Sequence, residues 1–324
     1  MKKIISLILM TAMVLTACIG FSSCNEQKTY TIGICQIQPH VALDAATQGF
    51  KDALIREFGE ENITFIEQNA QGDTNACATI VNDFVTKNVN LILANATPAL
   101  QAAANGTEKI PVLGTSVTEY GVALDIDNFS GLVGTNVSGT SDLAPLDQQA
   151  QMILDLFPEA KTVGMLYCSS EANSAYQVAE VKTYLEQKGI TCKDFPFSDS
   201  NDVSVVSAAA AAGSDVIYIP TDNTAATCTE AINGAVLPTK APIIAGEEGI
   251  CSGCGVATLS ISYYDLGYKT GEMAVKILKG EADVSEMPIG YVDTFTKKYN
   301  KANCEELGID TAKLEEAGYV AIEN

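Results

Sequence analysis

The sequence predicts an α/β protein made of two similar lobes, each a doubly wound parallel sheet. Three observations carry this expectation. Strand-like and helix-like segments alternate from residue 29 onward, the order that yields parallel strands with right-handed crossovers. The alternation restarts near residue 146, and "NLILANATPAL" shares its plan with "DVIYIPTDNTA": an apolar strand, a small polar turn and a helix start. With 324 residues, 47% of them hydrophobic, the chain can fill two medium cores.

Taken in order, "MKKIISLILMTAMVLTAC" has a basic start, an apolar run from Ile4 to Leu15 and small residues before a cysteine, the build of a secretory leader. It is too short for an ordinary membrane span. Leu15, Thr16, Ala17 and Cys18 resemble the lipobox of bacterial lipoproteins, with Cys18 as the lipidated residue and Cys24, closing "FSSC", as the alternative. A signal peptide without lipid is the other reading. Residues 1–24 are thus leader and the start of a tether.

Strands follow at 29–36, 63–70, 90–95, 110–115 and 131–136, with an amphipathic helix over 43–58 and helices after the second and third strands. A helix over 146–157 opens the second half, whose strands are 161–168, 190–197, 215–221 and 241–246 with helices between them. After a strand at 256–261, Leu266, Thr270, Ala274, Ile277 and Leu278 share one helical face, with Lys276 and Lys279 in the last turn and Gly280 just past it. A strand near 291–296 and a charged helical tail close the chain.

Composition narrows the function. A net charge of −21 repels phosphate backbones, which excludes nucleic acid as a partner. Arg56 is the only arginine and tryptophan is absent, so a bound anion must be met by N–H groups and hydroxyls. Ten cysteines do not imply a disulfide framework in a chain able to build a core. "CSGC" at 251–254 lacks the second CxxC or histidine that a zinc site needs, and no metal or cofactor is expected.

In an open α/β sheet, ligands bind beyond the carboxyl ends of the strands, and here those ends carry polar clusters. The first half offers Gln36, Asn95 with Thr97, and Thr115 with Ser116. Thr97 as N-cap and Pro98 as the first helical residue would leave free N–H groups for a carboxylate. The second half offers Ser169, Glu171 and Asn173, then Asp222 and Asn223, then Glu247 and Glu248. One wall is neutral and the other acidic, a polarity that suits a zwitterion, with Asp222 and one of Glu171 or Glu247 facing its ammonium. Each of these residues also suits ordinary helix capping. His40 lies on the loop after the first strand, and Tyr263 and Tyr264 open the long helix; pocket and structural roles stay open for all three. No GxSxG elbow, P-loop or GxGxxG is present, and one histidine makes a catalytic triad a poor fit.

The stretches "IGICQIQPHVALDAATQGF", "ANATPALQA", "PVLGTSVTE", "YCSSEANS", "PTDNT", "AGEEG" and "SYYDLGYKTGEMA", spread over about residues 30–280, resemble the substrate-binding lipoproteins of ABC importers with the type I periplasmic-binding-protein fold, in particular their tryptophan/tyrosine-binding branch. The resemblance implies a three-segment hinge, near 137–139, 259–262 and 284–288. Lobe one would then hold 29–137 and 260–284, lobe two 138–259 and 285–297, with 298–324 as tail. It implies ligand contacts at Gln36, His40, Asn95, Thr97, Ser116, Ser169, Glu171, Asn173, Asp222, Asn223, Glu247 and Tyr263. "SVTEYGVALDIDN" lacks the proline-glycine turn associated with its loop, so Thr118 and Glu119 are not assigned to the pocket.

The expectation is therefore a monomeric, lipid-anchored extracytoplasmic receptor, not an enzyme, that binds a free aromatic amino acid and delivers it to an ABC permease with its ATPase. A branched-chain amino acid, sugar or nucleoside is the alternative ligand. A secreted two-domain α/β enzyme is the alternative of another class.

Overall fold

A computed structural model describes residues 28–322; the leader, with Cys18 and Cys24, lies outside them. The first lobe begins with β1 (Tyr30–Gln36), α1 (Val41–Phe58), β2 (Ile63–Asn69), α2 (Thr74–Thr86), β3 (Leu91–Asn95), α3 (Thr97–Gly106), β4 (Val112–Val117), α4 (Tyr120–Ala123) and β5 (Val137–Ser141). The chain then crosses to α5 (Leu146–Leu156), β6 (Thr162–Cys168), α6 (Ala172–Gln187), β7 (Thr191–Phe197), α7 (Val203–Gly213), β8 (Val216–Ile219), α8 (Asn223–Thr227), α9 (Thr229–Val236), β9 (Ile243–Ala245), α10 (Glu248–Gly253) and β10 (Ala257–Ser260). It returns as α11 (Tyr263–Lys279) and β11 (Gly290–Tyr291), and ends with β12 (Thr296–Tyr299), α12 (Lys301–Leu307), α13 (Thr311–Glu316) and β13 (Val320–Ala321).

Two sheets result, ordered β11-β5-β4-β3-β1-β2 and β13-β12-β10-β9-β8-β6-β7. β12 runs antiparallel to β10, and the other pairings among the described residues are parallel. Strands such as β3, buried at all five residues, read as continuous apolar runs because helices cover both faces. In the first lobe Phe50, Leu54 and Met273 pack on one face with Ile34 and Leu93, and Phe84, Leu100 and Tyr120 on the other with Cys35 and Ile92. The register sets Gln36 opposite Asn95 and Asn95 opposite Thr115, so three strand ends form one row.

α11 follows a strand of the second sheet yet packs on α1 of the first lobe. Glycines permit the close approach: a Cβ on Gly267 would collide with the Ala46 carbonyl, and one on Gly49 with the Tyr264 carbonyl. The helix ends at Gly280 in the left-handed region (φ 74°), as its sequence predicts.

Several boundaries differ from the sequence reading. The strand expected at 131–136 lies at 137–141, because Gly131 and Gly134 take φ of 93° and 78°, incompatible with a strand. The first crossover is therefore 142–145 rather than 137–139, and the third lies at 292–295 rather than 284–288, since β11 still belongs to the first sheet. The tail is not a separate appendage, as β12 and β13 form an edge of the second sheet.

Candidate functional site

The carboxyl ends of the two sheets face each other across a narrow polar cavity with about 20 Å3 of free room. His40, Leu43, Ser116 and Thr118 line it from the first lobe, Asp142 from the first crossover, Tyr263 from the start of α11, and Asn173, Thr221, Asp222, Asn223, Ala226 and Glu247 from the second lobe. The lobes touch directly around it. Thr118 Oγ1 lies 3.4 Å from Thr221 Oγ1, Gln177 Nε2 donates to Thr118 Oγ1 at 3.3 Å, and Gln38 Nε2 donates to the Asn223 carbonyl.

The carboxylates are held by backbone donors or a phenol. Asp222 caps α8, accepting from Ala225 N at 2.8 Å, and also accepts from Cys168 N at 2.6 Å. Glu247 caps α10, accepting from Gly249 N at 2.6 Å and from Ile250 N. Asp142 Oδ2 accepts from Tyr263 OH at 3.0 Å, while its Oδ1 has no partner. Burial raises all three acids: Asp142 to about 6, Glu247 to about 7, and Asp222 well above the carboxylate range with added repulsion from Glu171. Desolvation lowers the imidazole of His40, which keeps it neutral at pH 7.

Eight buried side-chain polar atoms among the described residues lack a hydrogen-bond partner, and four of them line this cavity: His40 Nε2, Ser116 Oγ, Asp142 Oδ1 and Asn173 Oδ1. Buried polar groups are normally paired, so their concentration in one place marks a site built for a polar guest. Ser116 is also held at φ 54°, a left-handed conformation that costs a non-glycine residue energy and clusters at functional sites.

The structure brings His40, Ser116, Asn173, Asp222, Asn223 and Glu247 to the cavity, and Tyr263 with them. Six other residues from the sequence reading do not line it. Gln36 and Asn95 turn inward and bond each other and Thr47, with Asn95 Nδ2 also donating to the Leu43 carbonyl at 2.8 Å, which fixes α1 over the sheet. Thr115 is fully buried beside Thr140. Thr97 is buried as the first helical residue of α3; the cap position belongs to Ala96 (φ 87°), which has no capping side chain. Ser169 is exposed and donates to the Phe197 carbonyl at 3.2 Å. Glu171 spends both oxygens on Asn223 and Thr224, bracing α8 rather than facing the cavity.

Thr118, Asp142 and Thr221 were not assigned from sequence. Asp142 stands one residue past the end of β5, so the strand-end rule finds it once that strand is placed correctly. Thr221 sits beside Asp222, and Thr118 lies in the loop that departs from the family pattern. Glu119 instead caps α4 through Val122 N.

Comparison with known proteins bears on this arrangement. The family model described as "ABC transporter substrate binding protein" matches residues 31–317. A tyrosine-binding protein of Clostridioides difficile is 33% identical over 98% of this chain and 96% of its own length. A Streptococcus pneumonia ABC domain solved in complex with L-Trp superposes with a TM-score of 0.85 at 32% identity, covering 91% of this chain and all of that one. A ligand-free, open substrate-binding protein with adhesive properties from Clostridium difficile is more similar in sequence, at 37% over the same coverage, yet gives a TM-score of 0.69. The present lobes are thus arranged as in the complex more than as in the open form, consistent with the hydrogen bonds across the cleft.

Proposed function

We propose that this chain, which belongs to the family of ABC transporter substrate-binding proteins, captures a free aromatic amino acid, tyrosine or tryptophan, outside the cytoplasm and presents it to an ABC permease for import. The set of unpartnered atoms in the cavity carries this reading. Asp142 Oδ1 and Asn173 Oδ1 are spare acceptors, matched to an α-ammonium; the Ser116 hydroxyl and His40 Nε2 are the counterparts for an α-carboxylate. That is the complement of a zwitterion, and it uses no guanidinium. Tyrosine and tryptophan are favoured because they are the ligands named for the two relatives quoted above. Glu247 and Asp222 stand behind the ammonium, whose charge favours their ionised forms, and Tyr263 orients Asp142.

The tether rests on the lipobox-like Leu15 to Cys18. Lipid on Cys18 would hold the receptor at the membrane as a monomer; Cys18→Ala should release it to the soluble fraction, and release by Cys24→Ala instead would move the anchor there.

Ligand identity is tested by titrating the purified protein with tyrosine, tryptophan, leucine, a hexose and a nucleoside. At a hundred times its dissociation constant the true ligand adds about 2.7 kcal/mol of stability. Because the chain has no tryptophan, indole emission from a dialysed sample also reports retained ligand directly. Stabilisation by the sugar or nucleoside and by no amino acid would overturn the proposal.

A further inference from the structure

The cavity does not end at its polar walls. A wider groove between the lobes, about 790 Å3 and open to solvent, shares His40, Ala226, Glu247 and Tyr263 with it. Its walls are short: Pro39, Ala42 and Ala45 on the first lobe face Thr227, Ser252 and Gly253 on the second. The cavity proper leaves only about 20 Å3 of free room, and its apolar lining is limited to Leu43, Ala226 and the ring of Tyr263. A zwitterion whose charged groups meet Asp142 and Ser116 must direct its side chain toward apolar surface, because burying apolar area is what stabilises that part of the ligand. Ala226 and Tyr263 are that surface, and both continue into the groove.

We infer that the groove is the side-chain channel of the binding site, so that the receptor accepts aromatic amino acids extended at the far end of the ring, such as aryl ethers of tyrosine. This rests on the amino-acid reading above and deepens it: a fully enclosed site would select by size, whereas an open-ended one selects the α-amino and α-carboxyl groups and tolerates length. The outer end of the channel passes the ion pair of Lys298 with Glu248 at 2.5 Å, a polar exit beyond which further ligand atoms stand in water.

Calorimetric titration of the full protein with L-tyrosine, L-tryptophan and O-benzyl-L-tyrosine tests the inference. O-benzyl-L-tyrosine is expected to bind within about tenfold of L-tyrosine. Thr227→Trp, which narrows the groove from an exposed position, should weaken the ether by at least about tenfold more than it weakens tyrosine. If tyrosine binds but the ether is weaker than that limit, or the variant affects both ligands alike, the channel is refuted and the amino-acid site stands. If neither natural aromatic amino acid binds, the functional proposal falls and the channel with it.

Discussion

Affinity should depend on pH through Asp142. In the empty cavity burial places its carboxyl at about 6, Tyr263 occupies one oxygen and the other is bare. An ammonium against that bare oxygen favours the ionised form, so ligand binding expels the proton. At pH 5 only about one empty site in eleven carries the charge, and affinity should be about tenfold weaker than at pH 7.5. At pH 6 binding should release about half a proton, measurable by calorimetry in buffers of different ionisation enthalpy. The neighbouring groups set the sign. Burial lowers the His40 imidazole below its ordinary value, and Asp222 and Glu247, both raised by burial, add to the same trend. The empty protein behaves oppositely: with folded pKa values above the ordinary ones, these acids make it lose stability as pH rises from about 4 through 7, so the thermal shift caused by ligand should grow with pH. Asp142→Asn should flatten the profile and cost about 3 kcal/mol of affinity, the usual loss for removing one partner of a buried charge pair. An affinity constant from pH 5 to 8, or one that strengthens in acid, would refute the assignment of Asp142 to the ammonium.

Three further outcomes are expected. Thr118→Val keeps the shape of the side chain but removes its contacts with Thr221 and Gln177 across the cleft; at about 1 kcal/mol per hydrogen bond, ligand affinity should fall about five- to thirtyfold by calorimetry, and an unchanged value would mean these contacts do not favour closure. Gly267→Ala drives a methyl into the Ala46 carbonyl and should cost at least about 2 kcal/mol in denaturant unfolding; no loss would show that α1 and α11 can separate freely. Ala96→Gly relieves a buried alanine at φ 87°, ψ 159° and should gain about 1 kcal/mol; a lower melting temperature would mean the packing of the methyl outweighs the strain.

The fold was legible because its signals are periodic and local. β3 and β8 announce themselves as apolar runs ended by polar turns, and α11 by one apolar face with lysines and glycine at its end. β5 was misplaced because Val137–Ser141 has the small, polar composition of a loop; its strand character comes from pairing with β4 in a fully buried setting, which is tertiary information. That one shift hid Asp142. Thr97, Gln36 and Asn95 occupy the right strand ends, but rotamer and neighbours decide whether such a side chain looks into the cleft or back under its own helix. Glu171 and Asp222 illustrate the same point: both are acids beside turns at the second sheet, and only the one at the end of β8 borders the cavity.

The closed arrangement explains why recognition and closure share one free energy. Bringing the lobes together around nothing strands four polar atoms in the cavity, each costing about 1–3 kcal/mol. Three hydrogen bonds across the cleft return about 1 kcal/mol apiece, which leaves the empty closed form disfavoured. Turning a 1:99 population into 99:1 takes about 5.5 kcal/mol of differential binding, within reach of a ligand that satisfies those four atoms and only in the closed state. Asp142 lies on the first crossover and Tyr263 opens α11 directly after the second, so the residues proposed to meet the ammonium sit where the chain passes between the lobes. A ligand missing its ammonium should therefore lose more than one contact: it should leave the lobes apart.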